Sequence, residues 1–170
     1  MRLAGEVMFL VSDDSPTREL RIRAALTTEP PIAVILGAVH VEWTVRRAIL
    51  ALGRSPNVVL RVQLTRAHGL DQYKDLWKAE VVQARHAPTL PQIVCRWAEL
   101  RKAFTLRHRL VHGASSCTAD YAAPKVAVLI EAAADIRTFC RTQGVDLHSR
   151  LPVRRKLREG ASEKDIGLKL

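Results

Sequence analysis

The chain has 170 residues, and 27 Lys and Arg residues against 17 Asp and Glu residues leave a formal net charge of +10. Hydrophobic residues make up 48% of it, which fits one globular domain and excludes wholesale disorder. No charge-free apolar stretch is long enough to span a membrane, and the N-terminal segment lacks the pattern of a secretory signal peptide. The three cysteines, an odd number at wide spacing, argue against a disulfide framework. We therefore expect a cytoplasmic protein that does not insert into a membrane.

Most of the excess positive charge comes from arginine, which accounts for 20 of the 27 basic residues. The planar guanidinium group binds phosphate through two parallel hydrogen bonds, so an arginine-rich surface favours polyanionic partners. A coding sequence biased toward arginine and alanine codons would give the same ratio, and the composition alone supports both interpretations. The eight aromatic residues are too few to predict a module that stacks RNA bases on aromatic platforms.

The first half of the chain carries four helical patterns. They predict helices over residues 15–26, 31–52, 58–68 and 72–86. The predicted N-caps include Ser15, Asn57 and Asp71. Two prolines at positions 30–31 begin the long second helix, and Gly53 ends it.

Two further helices are predicted in the second half, over residues 89–112 and 121–142. Thr89 and Gln92 form a capping box at the start of the first, and Gly113 ends it. Its predicted core stripe consists of Leu90, Ile93, Trp97, Leu100, Phe104, Arg107 and Val111. The predicted core stripe of the last helix consists of Val126, Leu129, Ile130, Ala133, Ile136 and Cys140. No segment has the pattern of a β-strand.

Four main helices with short connections predict an all-α, antiparallel helical bundle with additional short helices, spanning residues 1–144. From Val145 the sequence becomes polar, with seven basic and four acidic residues over residues 145–170. We expect this segment to be a flexible basic C-terminal tail. Because it supplies only +3 of the net charge, the predicted bundle is itself basic.

The long helix over residues 31–52 is apolar on nearly all faces, so we predict that it lies at the centre of the bundle. Glu42 and Arg46 fall within one apolar face, four residues apart with the acid first, the favourable order for a helical ion pair. Burying an unpaired charge is costly. Two interpretations remain open: an ion pair that only stabilises the helix edge, or a pair that shapes a functional site together with another helix.

The segment over residues 106–113, LRHRLVHG, combines an arginine with two histidines at the end of a predicted helix. Arg107 interrupts an apolar stripe, and His108 and His112 lie four residues apart on one side of the helix. On an unbroken helix Arg107 and His112 point about 140° apart, so a symmetric dimer would help to bring both to one phosphate.

These residue types match what RNA cleavage without a metal ion requires. A base must take the proton of the 2′-hydroxyl group, and an acid must protonate the leaving 5′-oxygen. A cation must stabilise the charge on the phosphate. Histidine can serve in either proton transfer near neutral pH, and arginine can hold the phosphate.

The Arg-x4-His motif ending in Leu-Val-His-Gly, late in an all-α domain of this size, resembles the HEPN superfamily (higher eukaryotes and prokaryotes nucleotide-binding domain). The resemblance rests on Arg107, the polar His108 after it, and His112; Glu42, an acid on an earlier long helix, also matches a family feature. It implies a dimerising helical bundle that cleaves RNA without a metal ion, often in toxin–antitoxin or phage-defence systems. Family toxins with a nucleotidyltransferase antitoxin often carry Tyr two residues after the His, where this chain has Ala114.

The leading hypothesis is a homodimeric endoribonuclease of this type, with Arg107, His112, His108 and Glu42 as its catalytic residues. Candidate contacts to the RNA backbone are Arg46, Arg47, Arg101 and Arg109. We expect no cofactor and no bound metal, and an acidic antitoxin protein as a further partner. A non-catalytic helical adaptor that binds nucleic acid or a protein is the alternative. A helical DNA-binding regulator ranks below both, because no helix-turn-helix pattern is present.

Overall fold

The computed structural model describes residues 13–154, and within this range the chain is helical without any β-strand. The first helices are α1 (Ser15–Thr28), α2 (Pro30–Leu52), α3 (Asn57–Arg66) and α4 (Leu70–Trp77). The later ones are α5 (Gln83–Arg85), α6 (Leu90–Ile93), α7 (Trp97–Val111) and α8 (Ala119–Thr142). A π-helical segment (Lys78–Val82) joins α4 to α5. The predicted all-α class is therefore confirmed, and no helix in the described range has the length and apolar character to cross a membrane.

Several helices begin at other residues than the sequence suggests. Asp14, not Ser15, caps α1, because its carboxylate accepts the Thr17 backbone N–H at 2.9 Å. Asn57 is the first residue of α3 rather than its cap. Its side-chain amide donates to the Leu50 carbonyl, and its side-chain oxygen accepts the backbone N–H of Arg154. The asparagine thus joins distant parts of the chain instead of capping its own helix.

The helix predicted over residues 89–112 is interrupted. The capping box at its start is present, with the Gln92 side chain accepting the Thr89 N–H at 2.8 Å, but the helix ends at Ile93. Val94 is extended, and the Cys95 N–H donates to the Asp135 carboxylate of α8 at 3.0 Å. The helical register restarts at Trp97, so the buried face of α7 consists of Leu100, Ala103 and Leu106. The predicted core stripe is therefore wrong at its end, where Val111 is 50% exposed.

The hydrophobic core lies mainly between α2 and α8. The stripe predicted for α8 is buried in full, namely Val126, Leu129, Ile130, Ala133, Ile136 and Cys140. Gly37 of α2 packs against Leu129, and a Cβ atom added at Gly37 would lie 2.9 Å from its Cδ1 atom. This glycine therefore permits a close approach of the two long helices.

Residues 145–154, which we call the C-terminal strap, lie packed on the helices. Leu147 is only 2% exposed and belongs to the hydrophobic core. The Arg47 guanidinium donates to the carbonyls of Leu147 and Ser149, and the Arg154 side chain donates to the Leu50 carbonyl at 2.7 Å. The expected flexible tail is therefore wrong for these ten residues, because main-chain carbonyls of the strap and of α2 supply acceptors that the sequence pattern does not display. Residues 155–170 of the predicted tail lie outside the described residues.

Candidate active site

Helix α7 ends where the sequence predicts it, at His112 and Gly113. Gly113 has a φ of +67°, a left-handed conformation that glycine adopts without strain. Its N–H donates to the Leu110 carbonyl at 3.2 Å, and the Ala114 N–H donates to the Arg109 carbonyl at 2.8 Å. This pair of hydrogen bonds is a Schellman motif, which satisfies the last carbonyls of the helix. The motif residues thus occupy a sharply ended helix terminus.

The two histidines of the motif are in contact. The ring centroids of His108 and His112 lie 4.3 Å apart with the rings tilted by 56°, and both side chains are exposed. The predicted placement on one side of the helix is confirmed. Two groups that can give or accept a proton therefore stand together at one solvent-accessible point.

Arg107 lies beside Glu42 of α2. The Nη2 atom of Arg107 is 4.0 Å from the Oε1 atom of Glu42, and the two side chains are 31% and 20% exposed. Burial raises the pKa of Glu42, and the positive charges of Arg107, Arg46 and His68 only partly oppose this effect. The Nε atom of Arg107 is buried and has no hydrogen-bond partner within the described part of the chain. The guanidinium therefore keeps unused hydrogen-bonding capacity next to a desolvated carboxyl group.

The predicted ion pair between Glu42 and Arg46 does not form, since no ion pair within residues 13–154 joins them. The Nη1 atom of Arg46 instead donates to the Leu64 carbonyl at 2.8 Å and lies 3.3 Å from the Tyr73 hydroxyl oxygen. Burial raises the pKa of Tyr73. Arg46 thus connects α2 to α3 and α4 through these contacts and does not pair with Glu42.

Arg47 lies on another part of α2. Its guanidinium holds the strap and lies 5.1 Å from the ring of Trp43, which in turn stacks on His148. Burial lowers the pKa of Arg47. The structure does not bring this arginine together with the motif on α7.

A cleft of about 280 Å³ opens beside Arg107 and His108. Arg101, predicted as an RNA contact, also lines it. Phe104 and Asp71 contribute to its walls as well, and neither follows from the sequence as a site residue. Asp71 was predicted as a helix cap but lies in the first turn of α4. The cleft therefore presents two guanidinium groups and one imidazole, a set that suits a phosphate group.

His112 and Arg109 do not line this cleft. His112 lies beyond it at the end of α7, and Arg109 lines a separate depression near Tyr121. A single chain thus presents Arg107 with Glu42 on one side of α7 and the histidine pair on a neighbouring side. This matches the angle of about 140° between positions 107 and 112 on a continuous helix.

The cysteines and acids of the described chain suggest no other chemistry. All three cysteines are free, and burial raises the pKa of the Cys140 thiol to about 12. Burial also raises the pKa of Cys117, which disfavours the reactive thiolate form. Within residues 13–154 no three His, Cys, Asp or Glu side chains are grouped as ligands of a metal ion.

Comparisons with protein-family models, with curated proteins and with solved structures find no significant match to this chain. No family is assigned on that basis. The functional proposal therefore depends on the residues of the site, their geometry, and the motif at the end of α7.

Proposed function

We propose that the protein is a metal-independent endoribonuclease of the HEPN type, acting as a toxin or a phage-defence effector. The observation that carries the proposal is the contact between His108 and His112 at the exposed end of the helix that also holds Arg107 beside Glu42. The basic cleft next to these side chains supplies a place for a phosphate group. Two titratable imidazoles and a partly exposed guanidinium are the groups that this reaction uses.

In the proposed reaction the 2′-oxygen of a ribose attacks the adjacent phosphorus atom, and the bond from phosphorus to the 5′-oxygen breaks. His112 acts as the base or the acid, and His108 assists the second proton transfer or positions the substrate. One proton leaves the 2′-hydroxyl group and one arrives on the 5′-oxygen, so no other reactant is consumed. The products are a 2′,3′-cyclic phosphate and a 5′-hydroxyl end. Arg107 stabilises the charge that develops on the phosphate.

Glu42 has a positioning role in this proposal. Its carboxylate lies 4.0 Å from the Nη2 atom of Arg107, whose Nε atom is buried, and the 31% of the arginine side chain that stays exposed is accessible to a phosphate. A carboxylate that limits the orientations of an arginine reduces the entropy lost when the arginine binds its ligand. We therefore count Glu42 among the residues that prepare the site rather than among those that react.

We further propose that the active protein is a homodimer of antiparallel bundles, with α7 and part of α2 at the interface. Val111, next to His112 in the chain, and Val39, three residues before Glu42 on α2, are exposed apolar side chains, as an interface would require.

Within one chain, two contacts support an antiparallel pairing of α7 and α8. Cys95, just before α7, contacts Asp135 near the end of α8, and Arg109 near the end of α7 lies close to Tyr121 at the start of α8. An acidic antitoxin would complement the positive net charge.

The enzymatic proposal is tested with full-length protein and labelled RNA in EDTA. Arg107→Ala and His112→Ala should each abolish cleavage, and the wild-type products should carry cyclic phosphate ends. Arg61→Ala and His86→Asn are matched controls, because both side chains are exposed and neither lines the cleft; asparagine also tolerates the left-handed backbone at position 86. Cleavage that persists in both motif variants contradicts the proposal. Salt-sensitive RNA binding by a wild-type protein that does not cleave favours the adaptor.

The dimer is tested by mixing inactive protomers. If Arg107 and His112 act across the interface, Arg107→Ala mixed with His112→Ala rebuilds one intact pair in the heterodimer, and part of the cleavage activity returns. If both residues act within one chain, every protomer in the mixture lacks one of them and activity stays absent. Sedimentation of the two variants checks that both still dimerise.

A further inference from the structure

A groove runs between α7 and the start of α8, on the side of α7 away from Glu42. It consists of two adjoining depressions of about 490 Å³ and about 230 Å³. Leu106, Arg109 and Tyr121 line both of them, so the two form one continuous surface feature. We call this feature the α7–α8 groove.

The groove is cationic and carries an exposed aromatic ring. Lys102, Arg109 and Lys125 line it, and within residues 13–154 no acidic side chain does. The cleft beside Arg107, in contrast, includes Asp71. A groove with three positive charges and no acid favours a polyanion more strongly than the cleft does.

The aromatic ring in the groove belongs to Tyr121, one of eight aromatic residues in the chain, and this side chain is 56% exposed. The ammonium group of Lys125 lies 5.8 Å from the centroid of its ring. The hydroxyl groups of Ser115, Ser116 and Thr118 border the wider end of the groove and supply further hydrogen-bonding groups. An accessible ring flanked by cations is the arrangement on which a nucleobase stacks while its phosphates are neutralised.

The groove and the cleft share a wall. Thr105 lines both, so the two features lie on either side of one ridge of α7. On a helix at 100° per residue, position 112 lies about 20° from position 105, so His112 continues the same ridge two turns further on. A strand that occupies the groove and crosses this ridge passes the histidine pair before it reaches Arg107.

We infer that the α7–α8 groove binds the single-stranded RNA segment next to the cleaved bond. One base stacks on Tyr121, and the backbone phosphates lie against Lys102, Arg109 and Lys125. The strand is single, because a base within a duplex does not expose the face that stacking on an aromatic side chain needs. The position of this segment next to a cleaved bond rests on the proposed function, whereas binding of the strand in the groove does not.

The experiment measures fluorescence anisotropy of a short labelled single-stranded RNA of mixed sequence with 2′-O-methyl riboses. This RNA cannot supply the attacking hydroxyl group, so binding is measured on the full-length wild-type chain without cleavage. Tyr121→Ala should weaken binding by about fivefold or more, and Tyr121→Phe should bind like wild type because the ring is kept. Lys102→Ala and Lys125→Ala should each lower the slope of log affinity against log salt by about 0.7.

Lys78→Ala is the matched control, because it removes the same charge from an exposed position that lines neither the groove nor the cleft. The inference is overturned if Tyr121→Ala binds as tightly as wild type, or if Lys78→Ala weakens binding as much as Lys102→Ala. Binding that depends on Tyr121 in a protein that cuts no RNA supports the groove and contradicts the proposed function. Cleavage that depends on His112 but not on Tyr121 supports the proposed function and contradicts RNA binding in the groove.

Discussion

The C-terminal strap should contribute measurably to stability through Arg154. Its guanidinium donates to the carbonyls of Leu50, Ala51 and Ser55 at 2.7, 3.0 and 3.2 Å. Leu50 and Ala51 lie in the last turn of α2, whose carbonyls have no partner within the helix. Asn57 adds a second attachment, because its backbone N–H donates to the Arg154 carbonyl at 3.1 Å.

The expected loss in the free energy of unfolding on removal of the Arg154 side chain follows from these contacts. A hydrogen bond that involves a charged group contributes roughly 1.5–3 kcal/mol when it is buried. A positive charge at a helix C-terminus adds about 0.3–1 kcal/mol. Arg154 is only partly buried and its three bonds share one side chain, so the terms do not add in full. We therefore expect Arg154→Ala to lower the free energy of unfolding by about 2–3 kcal/mol, and the melting temperature by roughly 4–12 °C.

Urea unfolding of the full-length chain, followed by far-UV circular dichroism, measures this loss. Tryptophan fluorescence gives a second signal, because Trp43 stacks on His148 of the strap at 5.6 Å between ring centroids. Arg154→Lys keeps the charge but not the planar fork, so we expect about half of the loss. Arg150→Ala is the matched control, because Arg150 is an exposed arginine of the same strap, and its replacement should change stability by less than about 0.5 kcal/mol.

The stabilising role of Arg154 is refuted if Arg154→Ala and Arg150→Ala both unfold at the same urea concentration as wild type. The strap would then lie on α2 without being held there by the guanidinium. If Arg154→Ala is destabilised but Arg154→Lys is as stable as wild type, the positive charge alone is sufficient. The planar guanidinium group would then not be needed to hold the strap.

Two further predictions concern buried titratable groups. Because burial raises the pKa of Glu42, ionising this side chain opposes folding, and stability is lost as the pH rises through its raised pKa. Glu42→Gln should therefore leave the free energy of unfolding at pH 7 within about 1 kcal/mol of the wild-type value, or above it. RNA cleavage by this variant should fall. Urea titrations at pH 5 and 7 check this, and a loss above about 2 kcal/mol would mean that the contact with Arg107 outweighs desolvation. Burial lowers the pKa of His40, so its contribution to stability is present above the unfolded pKa of about 6.5 and is lost as the pH falls below it. His40→Gln should reduce the fall in stability between pH 7 and 5, and an unchanged fall would exclude His40 as its source.

The Nε2 atom of His40 lies between two groups of opposite charge. It is 3.2 Å from the Nη1 atom of Arg137, which can only donate, and 3.6 Å from the Oε1 atom of Glu19. Burial and the charge of Arg137 lower the pKa of His40, and Glu19 only partly opposes them. Glu19 completes this cluster by accepting from Arg137 at 2.7 Å, so the charge of the arginine is balanced by a carboxylate rather than by the imidazole.

The sequence predicts the parts of the fold that depend only on the spacing of apolar residues within one helix. The stripe on α8 is buried because its members repeat at three and four residues, and no distant contact alters that register. The end of α7 follows from Gly113, whose left-handed conformation closes the helix locally. Helix α2 also ends at the predicted glycine, but Gly53 is extended there, with a φ of −61° and a ψ of 155°. Local side-chain spacing also explains why the contact between His108 and His112 could be predicted.

The parts that the sequence does not predict depend on polar contacts between distant residues. The break before α7 accompanies the hydrogen bond from Cys95 to Asp135, forty positions away. The strap depends on backbone carbonyls of α2 as acceptors, and every residue type offers the same carbonyl. A hydrogen bond from a side chain to a distant carbonyl therefore leaves no sign in the hydrophobic pattern, and a polar segment such as 145–154 resembles an unattached tail.

The candidate site combines both kinds of information. Arg107 interrupts an apolar stripe, and that interruption is visible in the sequence. The sequence predicts Glu42 as a catalytic residue only through the family resemblance, and the contact between the two residues follows from the packing of α7 on α2. Helix α7 runs without a break from Arg107 to Val111 and His112 caps it, so positions 107 and 112 point about 140° apart. Under the proposed function, two arrangements bring both residues to the RNA: a second chain that supplies the missing residue, or an RNA strand that crosses the ridge of α7. The shared wall at Thr105 favours the crossing strand for binding, and the exposed Val111 beside the histidines favours a second chain for catalysis. The two arrangements are compatible, because the groove and Val111 lie on different sides of the helix.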